Sequence, residues 1–422
     1  MDVDFKNVCM EIFDFTNNDN LMEKTKKYEK LQSIYDLFII EDMDDENNIM
    51  LTNYKQIFPD ILDVITVNIF RPLGPSKLKK EYINYGNNFE KCTSTNDLNP
   101  HLDIVYKILD LAINFFKNDH KYIAIIIDDH FVSQLLDLIH SDDGDERNYV
   151  SKIISTIYQY IPERRDIIDR IVNEELKEIV SSIYSNEVQI HLENLLHIYK
   201  LMMDRKRSTV KQQQQQQQFQ MTTIKTLLFT LHRLPYLYYY YRPLFSCTIK
   251  FMKKYPEEII DFMRQLFQLR NSSSLSTHSS ILMLTLVELK QILNLLFNDD
   301  NIDIDDDDDD DSESIFQQIM PFIMPFLMKN LQSLNTDLIK TTINILCSFE
   351  YQKYFDKYMA TTTTTGNYKN QLISILNNQQ YLITWDYRTH VQQVLYGIYL
   401  QNLNTHTHTH KIELMILNFT FF

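Results

Sequence analysis

The chain has 422 residues and a formal net charge of −16, and only 5 of its residues are glycine and 10 proline. Average usage of those two is about 7% and 5%, so both turn-formers are scarce. That argues against collagen, β-sandwiches, barrels and any fold that cradles phosphate in a glycine-rich loop. Hydrophobic residues make up 44% and charged ones 23%, so most of the chain can fold. Eleven of the acidic residues fall between Asp299 and Glu313, and without them the balance is −5. The acidity therefore belongs to an insert more than to the folded surface. A chain of this sign has no electrostatic reason to hold nucleic-acid backbones, and no nucleic-acid partner is expected.

The four cysteines, Cys9, Cys92, Cys247 and Cys347, are spread without metal-ligand or redox spacing, which fits a reduced, intracellular protein. The opening MDVDFKNV is acidic and lacks the apolar stretch of a secretory signal. Ile315 to Met328, 14 residues, reads as the longest weakly charged apolar stretch, and Gln317, Gln318, Pro321 and Pro325 interrupt it. A membrane span needs about 20 residues, so a buried helix is expected, with no membrane partner and a cytoplasmic or nuclear location.

Taken in order, the patterned segments read as helix after helix. Leu102, Val105, Leu109, Ile113 and Phe116 share one helical face, as do Phe131, Leu135, Leu138 and Ile139, and then Tyr149, Ile153, Ile157 and Tyr160. Helix pairs are expected to begin near residues 102, 148, 190, 240, 280, 335 and 385. A recurring two-helix unit of about 40–47 residues is the signature of HEAT-type repeats. The expected fold is therefore all-α, a HEAT-like α-solenoid of stacked hairpins, one solenoid over residues 1–402. Such shapes present surfaces to other proteins more often than they enclose a reaction centre. The Tyr238 to Tyr241 run should straddle a helix start with half its rings in the core, and Trp385 should pack at another helix start.

Low-complexity runs interrupt this pattern: Gln212 to Gln218, Asp305 to Asp311, Thr361 to Thr365 and the alternation Thr405 to His410. Composition places them in loops or disorder, giving inserts near 205–219, 299–314 and 360–368 and a low-complexity, apolar tail over 403–422.

No catalytic constellation is visible. G-x-x-x-x-G-K-S/T, H-E-x-x-H and G-x-S-x-G are all absent. The Asp305 to Asp311 run lacks the mid-loop glycine and terminal glutamate of a calcium loop. His406, His408 and His410 alternate with threonine and read as a tail without ligand geometry. No metal, cofactor or catalytic residue is expected, and the residues alone lead to a solenoid that binds other proteins.

Particular segments carry the reading further. IDDHFVSQLLDLIHSDDGDER (Ile127 to Arg147) resembles the most recognisable stretch of the B-prime family of regulatory subunits of protein phosphatase 2A. Other segments match in the family's order: CMEIFDF (Cys9 to Phe15), VNIFRPLGPS (Val67 to Ser76), NPHLDIVYKILDL (Asn99 to Leu111), TLHRL (Thr230 to Leu234), YRPLFSCTIKFMKK (Tyr241 to Lys254) and ITWDYRTHVQQVLYGIYL (Ile383 to Leu400). The resemblance runs over roughly residues 5 to 402. It implies a HEAT-like solenoid of about eight repeats. It also implies a third, substrate-targeting subunit of a trimeric serine/threonine phosphatase, docked on a scaffold subunit and a catalytic subunit that supplies the chemistry. A diverged scaffold or adaptor that no longer binds the phosphatase is the alternative.

The resemblance also implies a groove between neighbouring repeats for short linear motifs of the form Leu-x-x-Ile-x-Glu. The matching helix is ERNYVSKIISTIYQY (Glu146 to Tyr160), followed by PERR. Tyr158 and Arg165 stand where the family has Tyr and Arg, whereas Ser151, Ser155 and Thr156 stand where it has Lys, His and Arg. On the next repeat Asn194, Leu195 and Tyr199 match a Glu and two Ile. Replacing charged donors by hydroxyls implies a weaker groove, or one with an altered preference at the acidic position. At CSFEY (Cys347 to Tyr351) only Glu350 and Tyr351 remain of the family's Trp-Asn-Asn-Glu-Tyr.

Overall fold

The computed structural model describes residues 21–40, 48–73, 100–181, 191–205, 213–234, 237–272, 279–298, 309–346, 348, 371 and 374–375. Among the described residues the chain is all-α, with fourteen α-helices and no strand. They are α1 (Leu21–Ile40), α2 (Asn48–Ile69), α3 (Pro100–Phe115), α4 (His120–Ile126), α5 (Asp129–Asp137), α6 (Gly144–Tyr160), α7 (Arg165–Ser181), α8 (Leu192–Met202), α9 (Gln213–Leu231), α10 (Leu237–Lys254), α11 (Ile259–Ser272), α12 (Ser279–Asn298), α13 (Asp309–Leu331) and α14 (Thr336–Leu346). The helices α3, α6, α8, α10, α12 and α14 begin at residues 100, 144, 192, 237, 279 and 336, close to the hairpin starts read from periodicity.

Asp or Asn caps four of the described helix starts. Asp119 accepts from the Tyr122 backbone N (3.2 Å), and Asp128 from that of Phe131 (2.7 Å). Asp143 accepts from Asp145 and Glu146 (2.9 and 3.3 Å), and Asn335 from Asp337 and Leu338 (2.9 and 3.3 Å). Each such cap contributes about 1 kcal/mol by pairing backbone donors that have no partner inside the helix. Pro162 and Pro256 open the 3-10 turns after α6 and α10, where a missing N–H costs nothing.

The contacts divide the chain into two compact units, Met1–Gln213 with Arg242–Cys247, and Gln214–Tyr241 with Thr248–Phe422. In the first unit α3 packs on α6 and α6 on α8, while α5 packs on α7. The first helices of successive hairpins therefore form one layer and the second helices another, the arrangement of HEAT-like repeats. In the second unit α12 packs on α14 and α11 on α13 in the same two-layer manner. Most of the faces expected from spacing are buried: Val105, Leu109, Ile113, Phe116, Phe131, Leu135, Leu138, Ile139, Ile153 and Ile157 are core, whereas Leu102, Tyr149 and Tyr160 of the same faces are half-buried.

Three of the segments that carry the family resemblance meet at one carboxylate in the first unit. Glu146 opens α6, and its side chain is wholly buried. Arg71, just after α2, donates to it through both Nη atoms, at 2.7 and 2.5 Å, and the Tyr106 hydroxyl of α3 donates at 2.8 Å. Burial alone pushes the Glu146 carboxyl up, but hydrogen bonds from Arg71, Ser141 and Tyr106 outweigh it and hold the group below its ordinary value. At the other end of α6, Arg164 donates to the Ile127 and Ala124 carbonyls at 2.7 and 2.5 Å. Residue identity at Arg71, Tyr106 and Glu146 is thus a packing requirement as well as a family mark.

In the second unit the TLHRL segment places His232 in the core, with Nδ1 2.7 Å from the Leu228 carbonyl and Nε2 3.0 Å from Glu288 Oε1. The Tyr241 hydroxyl donates to the Leu284 carbonyl at 2.6 Å. Of the tyrosine run at the start of α10, Tyr240 and Tyr241 are buried and Tyr238 is 61% exposed, the division expected.

Several expectations need correction. Gln213 to Gln218 are not loop: they form the first turns of α9. Glutamine is a fair helix former, and the run leads directly into the apolar Ile224 to Leu231 stretch, so extending that helix requires no new nucleation. Asp309 to Asp311 and Glu313 likewise lie within α13. Ile315 to Met328 is helix as expected, with eight residues, among them Phe316, Ile323 and Leu327, in the core. It is not the longest apolar stretch, however: Ser279 to Leu296 in α12 is long and apolar enough to cross a membrane by length and composition. More than half of that window is buried, against α13 and α14, which is the condition of a core helix. Trp385, Cys347, Thr361 to Thr365, the Ile383 to Leu400 segment and the 403–422 tail lie outside the described residues.

Candidate functional site

The residues matched to a peptide groove lie on α6, α7 and α8 of the first unit. Ser151, Ser155 and Tyr158 stand at i, i+4 and i+7 of α6 and so form one stripe; Thr156 stands to its side. Ser151 is buried and donates to the Asn194 carbonyl on α8 (3.2 Å). Asn194 is buried too, and its Nδ2 donates to Asn148 Oδ1 (3.0 Å). Leu195 and Tyr199, on the same helix, are buried as well. Ser155 and Thr156 are half-buried and donate back along the helix to the Ser151 and Lys152 carbonyls, at 2.7 and 3.1 Å. Both hydroxyls are thus already engaged with backbone carbonyls of their own helix.

Tyr158 and Arg165 are joined to each other. The Arg165 guanidinium lies over the Tyr158 ring, 5.6 Å from its centroid. Its Nε donates to the Tyr158 carbonyl (2.7 Å) and one Nη to that of Gln159 (2.9 Å), closing the C-terminal end of α6. The Tyr158 hydroxyl donates to Asp169 Oδ1 of α7 (3.0 Å). Burial first, and then the Asp169 charge, push the Tyr158 phenol far above its ordinary value, so it stays a neutral donor at any physiological pH.

Two members of this arrangement escape sequence reasoning. Asp169 receives Tyr158, and Arg205 Nη1 binds both Asp169 Oδ2 (2.7 Å) and Asp166 Oδ1 (2.9 Å). Burial lowers the Arg205 guanidinium and the two carboxylates more than restore it. Arg205 stands at the first position of an expected disordered insert, so composition hid it; its only signal was a basic residue directly after an apolar helix. The stripe thus ends in two guanidinium groups, Arg165 and Arg205, flanking a buried tyrosine–carboxylate pair.

Residues 4–300 match the family profile described as protein phosphatase 2A regulatory B subunit (B56 family). The chain belongs to this family. Its B56 relatives include the B′ theta isoform of the 57 kDa regulatory subunit of Arabidopsis thaliana phosphatase 2A, 29% identical over 39% of this chain and 32% of that protein. The B′ beta isoform of the same plant is 26% identical over 58% and 46%. The delta 1 isoform of the 56 kDa regulatory subunit from Schizosaccharomyces pombe is 26% identical over 58% and 42%. These alignments span less than half the length of the curated relatives. An engineered protein of solved structure aligns over 94% of this chain at 12% identity with a TM-score of 0.32, which carries no argument. The B56 match takes in the Arg71, Tyr106 and Glu146 cluster, the whole candidate groove and TLHRL, and stops short of Ile383 to Leu400.

Proposed function

We propose that this B56 chain is a substrate-targeting regulatory subunit of protein phosphatase 2A, cytoplasmic or nuclear, that docks on the scaffold and catalytic subunits and leaves the chemistry to the latter. The family match over residues 4–300 carries this reading. The buried Arg71–Glu146–Tyr106 cluster supports it, because three segments of the resemblance are kept by one packing requirement. The relatives are named regulatory subunits, so a diverged adaptor is not favoured. A tagged chain purified from its own cells is expected to bring down both the scaffold and catalytic subunits. An eluate lacking both would remove the assignment.

Within this reading, substrates of the form Leu-x-x-Ile-x-Glu bind beside the C-terminal end of α6, with the terminal carboxylate at Arg165. Arg165 spends two of its five donors on α6 carbonyls, so it is a fixed cation with donors to spare. Arg165→Glu is expected to weaken such a peptide at least tenfold, about 1.4 kcal/mol, with the circular dichroism spectrum unchanged. Replacing the peptide's glutamate by alanine should cost the same factor on the parent chain and little more on Arg165→Glu. Equal losses on both chains, measured by calorimetry, would place the carboxylate elsewhere.

A further inference from the structure

The first unit also gathers a set of metal-ligating side chains that the phosphatase reading does not use. His140 ends the 3-10 turn Leu138–His140 after α5, Glu175 lies in the middle of α7, and His191 directly precedes α8. His140 Nε2 and Glu175 Oε2 are 3.4 Å apart. The two imidazoles meet edge to face, with centroids 4.4 Å apart and an interplanar angle of 63°. One ligand atom from each of the three residues lies within 4.8 Å of the others. The side chains grade from solvent to core, with His140 40% exposed, Glu175 28%, and His191 buried.

We infer that His140, Glu175 and His191 form a binding site for a borderline divalent transition metal, Zn²⁺ in the first instance. Two imidazole nitrogens and one carboxylate oxygen are a donor set zinc takes, with a water molecule completing four-coordination. With bonds of about 2.1 Å, neighbouring ligand atoms of a tetrahedral zinc lie about 3.4 Å apart. The His140–Glu175 separation already has that value. Closing the remaining gap asks for a modest rotation of His140, the most exposed of the three and the freest to turn. A hard cation such as Mg²⁺ prefers an all-oxygen octahedron and is not suited to two imidazoles.

The site draws on three successive hairpins. A bound ion would pin the start of α8, the helix that carries Asn194, Leu195 and Tyr199, to α7 and to the turn after α5. The inference does not depend on the phosphatase assignment, since the three ligands belong to this chain alone.

The test uses the full chain, stripped with a chelator and titrated with ZnCl₂ by calorimetry and with CoCl₂ by visible absorption. Three variants accompany the parent: His140→Ala, Glu175→Gln, and a triple variant His406→Asn, His408→Asn, His410→Asn that removes the other run of histidines. The parent and the triple variant are expected to share one zinc site and the intense visible bands of four-coordinate Co²⁺. His140→Ala and Glu175→Gln should each weaken that site at least tenfold and abolish the bands, with unchanged circular dichroism. His140 is a half-solvated turn residue, so its truncation leaves the fold intact and keeps the experiment decisive. A parent that binds no zinc, a site that survives both single substitutions, or one that disappears in the triple variant would overturn the inference.

Discussion

Arg71→Ala is expected to cost the first unit about 3–5 kcal/mol, the penalty for stripping one partner from a buried ion pair. The reason lies in unequal burial. The Arg71 side chain is 39% exposed while that of Glu146 is 0% exposed, so only the arginine can turn to water if its partner goes. Removing Arg71 leaves a carboxylate inside the packed start of α6, supported by the Tyr106 hydroxyl in place of two charge-assisted bonds. Glu146→Gln should be milder, because it keeps the shape and a neutral amide replaces the charge. Amide hydrogen exchange in α3 and α6 is the suitable measurement, as it reads this unit locally, and protection in α12 should be unaltered. A larger loss from Glu146→Gln than from Arg71→Ala would contradict the burial argument.

The same pair has a pH signature. The folded Glu146 carboxyl titrates below its ordinary value of 4.5. Its contribution to stability is therefore complete above that pH and is lost as pH falls through the lower, folded value. Arg71→Ala can only raise the folded value, so the stability gap between the parent and this variant should be widest near neutrality and shrink on acidification. A gap that stays constant from neutral to acid pH would mean that the loss comes from packing and not from charge.

Local rules made the helices legible. The apolar spacing of Val105, Leu109, Ile113 and Phe116 needs no partner to be read, because a 3.6-residue period is written along one segment. The hairpin starts up to α14 followed in the same way, and so did the division of the tyrosine run at α10. The failures share a different cause. Composition assigned Gln213 to Gln218 and Asp309 to Asp311 to disorder, yet a run attached to an amphipathic helix inherits its nucleus. Long-range partners were invisible: Arg71 and Glu146 are 75 positions apart, and nothing in either neighbourhood points to the other. His140, Glu175 and His191 have no motif spacing at all and meet only because α5, α7 and α8 stack. In the candidate groove, sequence matching named Tyr158 and Arg165 but not Asp169 or Arg205, which decide how the first two are held. It also marked Ser151, Asn194, Leu195 and Tyr199, all four of which are buried.

Glu288→Ala should be among the most damaging single substitutions in the second unit, again at about 3–5 kcal/mol. Arg270 is the largest fully buried side chain described, at 0% exposure, and only its Nε has a hydrogen-bond partner, Thr285 Oγ1 at 3.0 Å. Burial pushes its guanidinium below the ordinary value, while the Glu288 charge and then the tyrosines Tyr240 and Tyr241 hold it up. Arginine does not give up its proton in such a place, so the cation must be balanced where it stands. Glu288 supplies the balancing charge and also meets His232 Nε2 at 3.0 Å. Glu288→Ala removes the balancing charge and leaves a bare guanidinium in the core. The discriminating experiment is a second substitution: Arg270→Met in the Glu288→Ala background removes the stranded cation and fills most of its volume. If an uncompensated charge is the cause, the double variant should regain more than half of the lost stability in a urea titration followed by circular dichroism. If the cause is a cavity beside α12, Arg270→Met will add its own loss, and the double variant will be the less stable of the two.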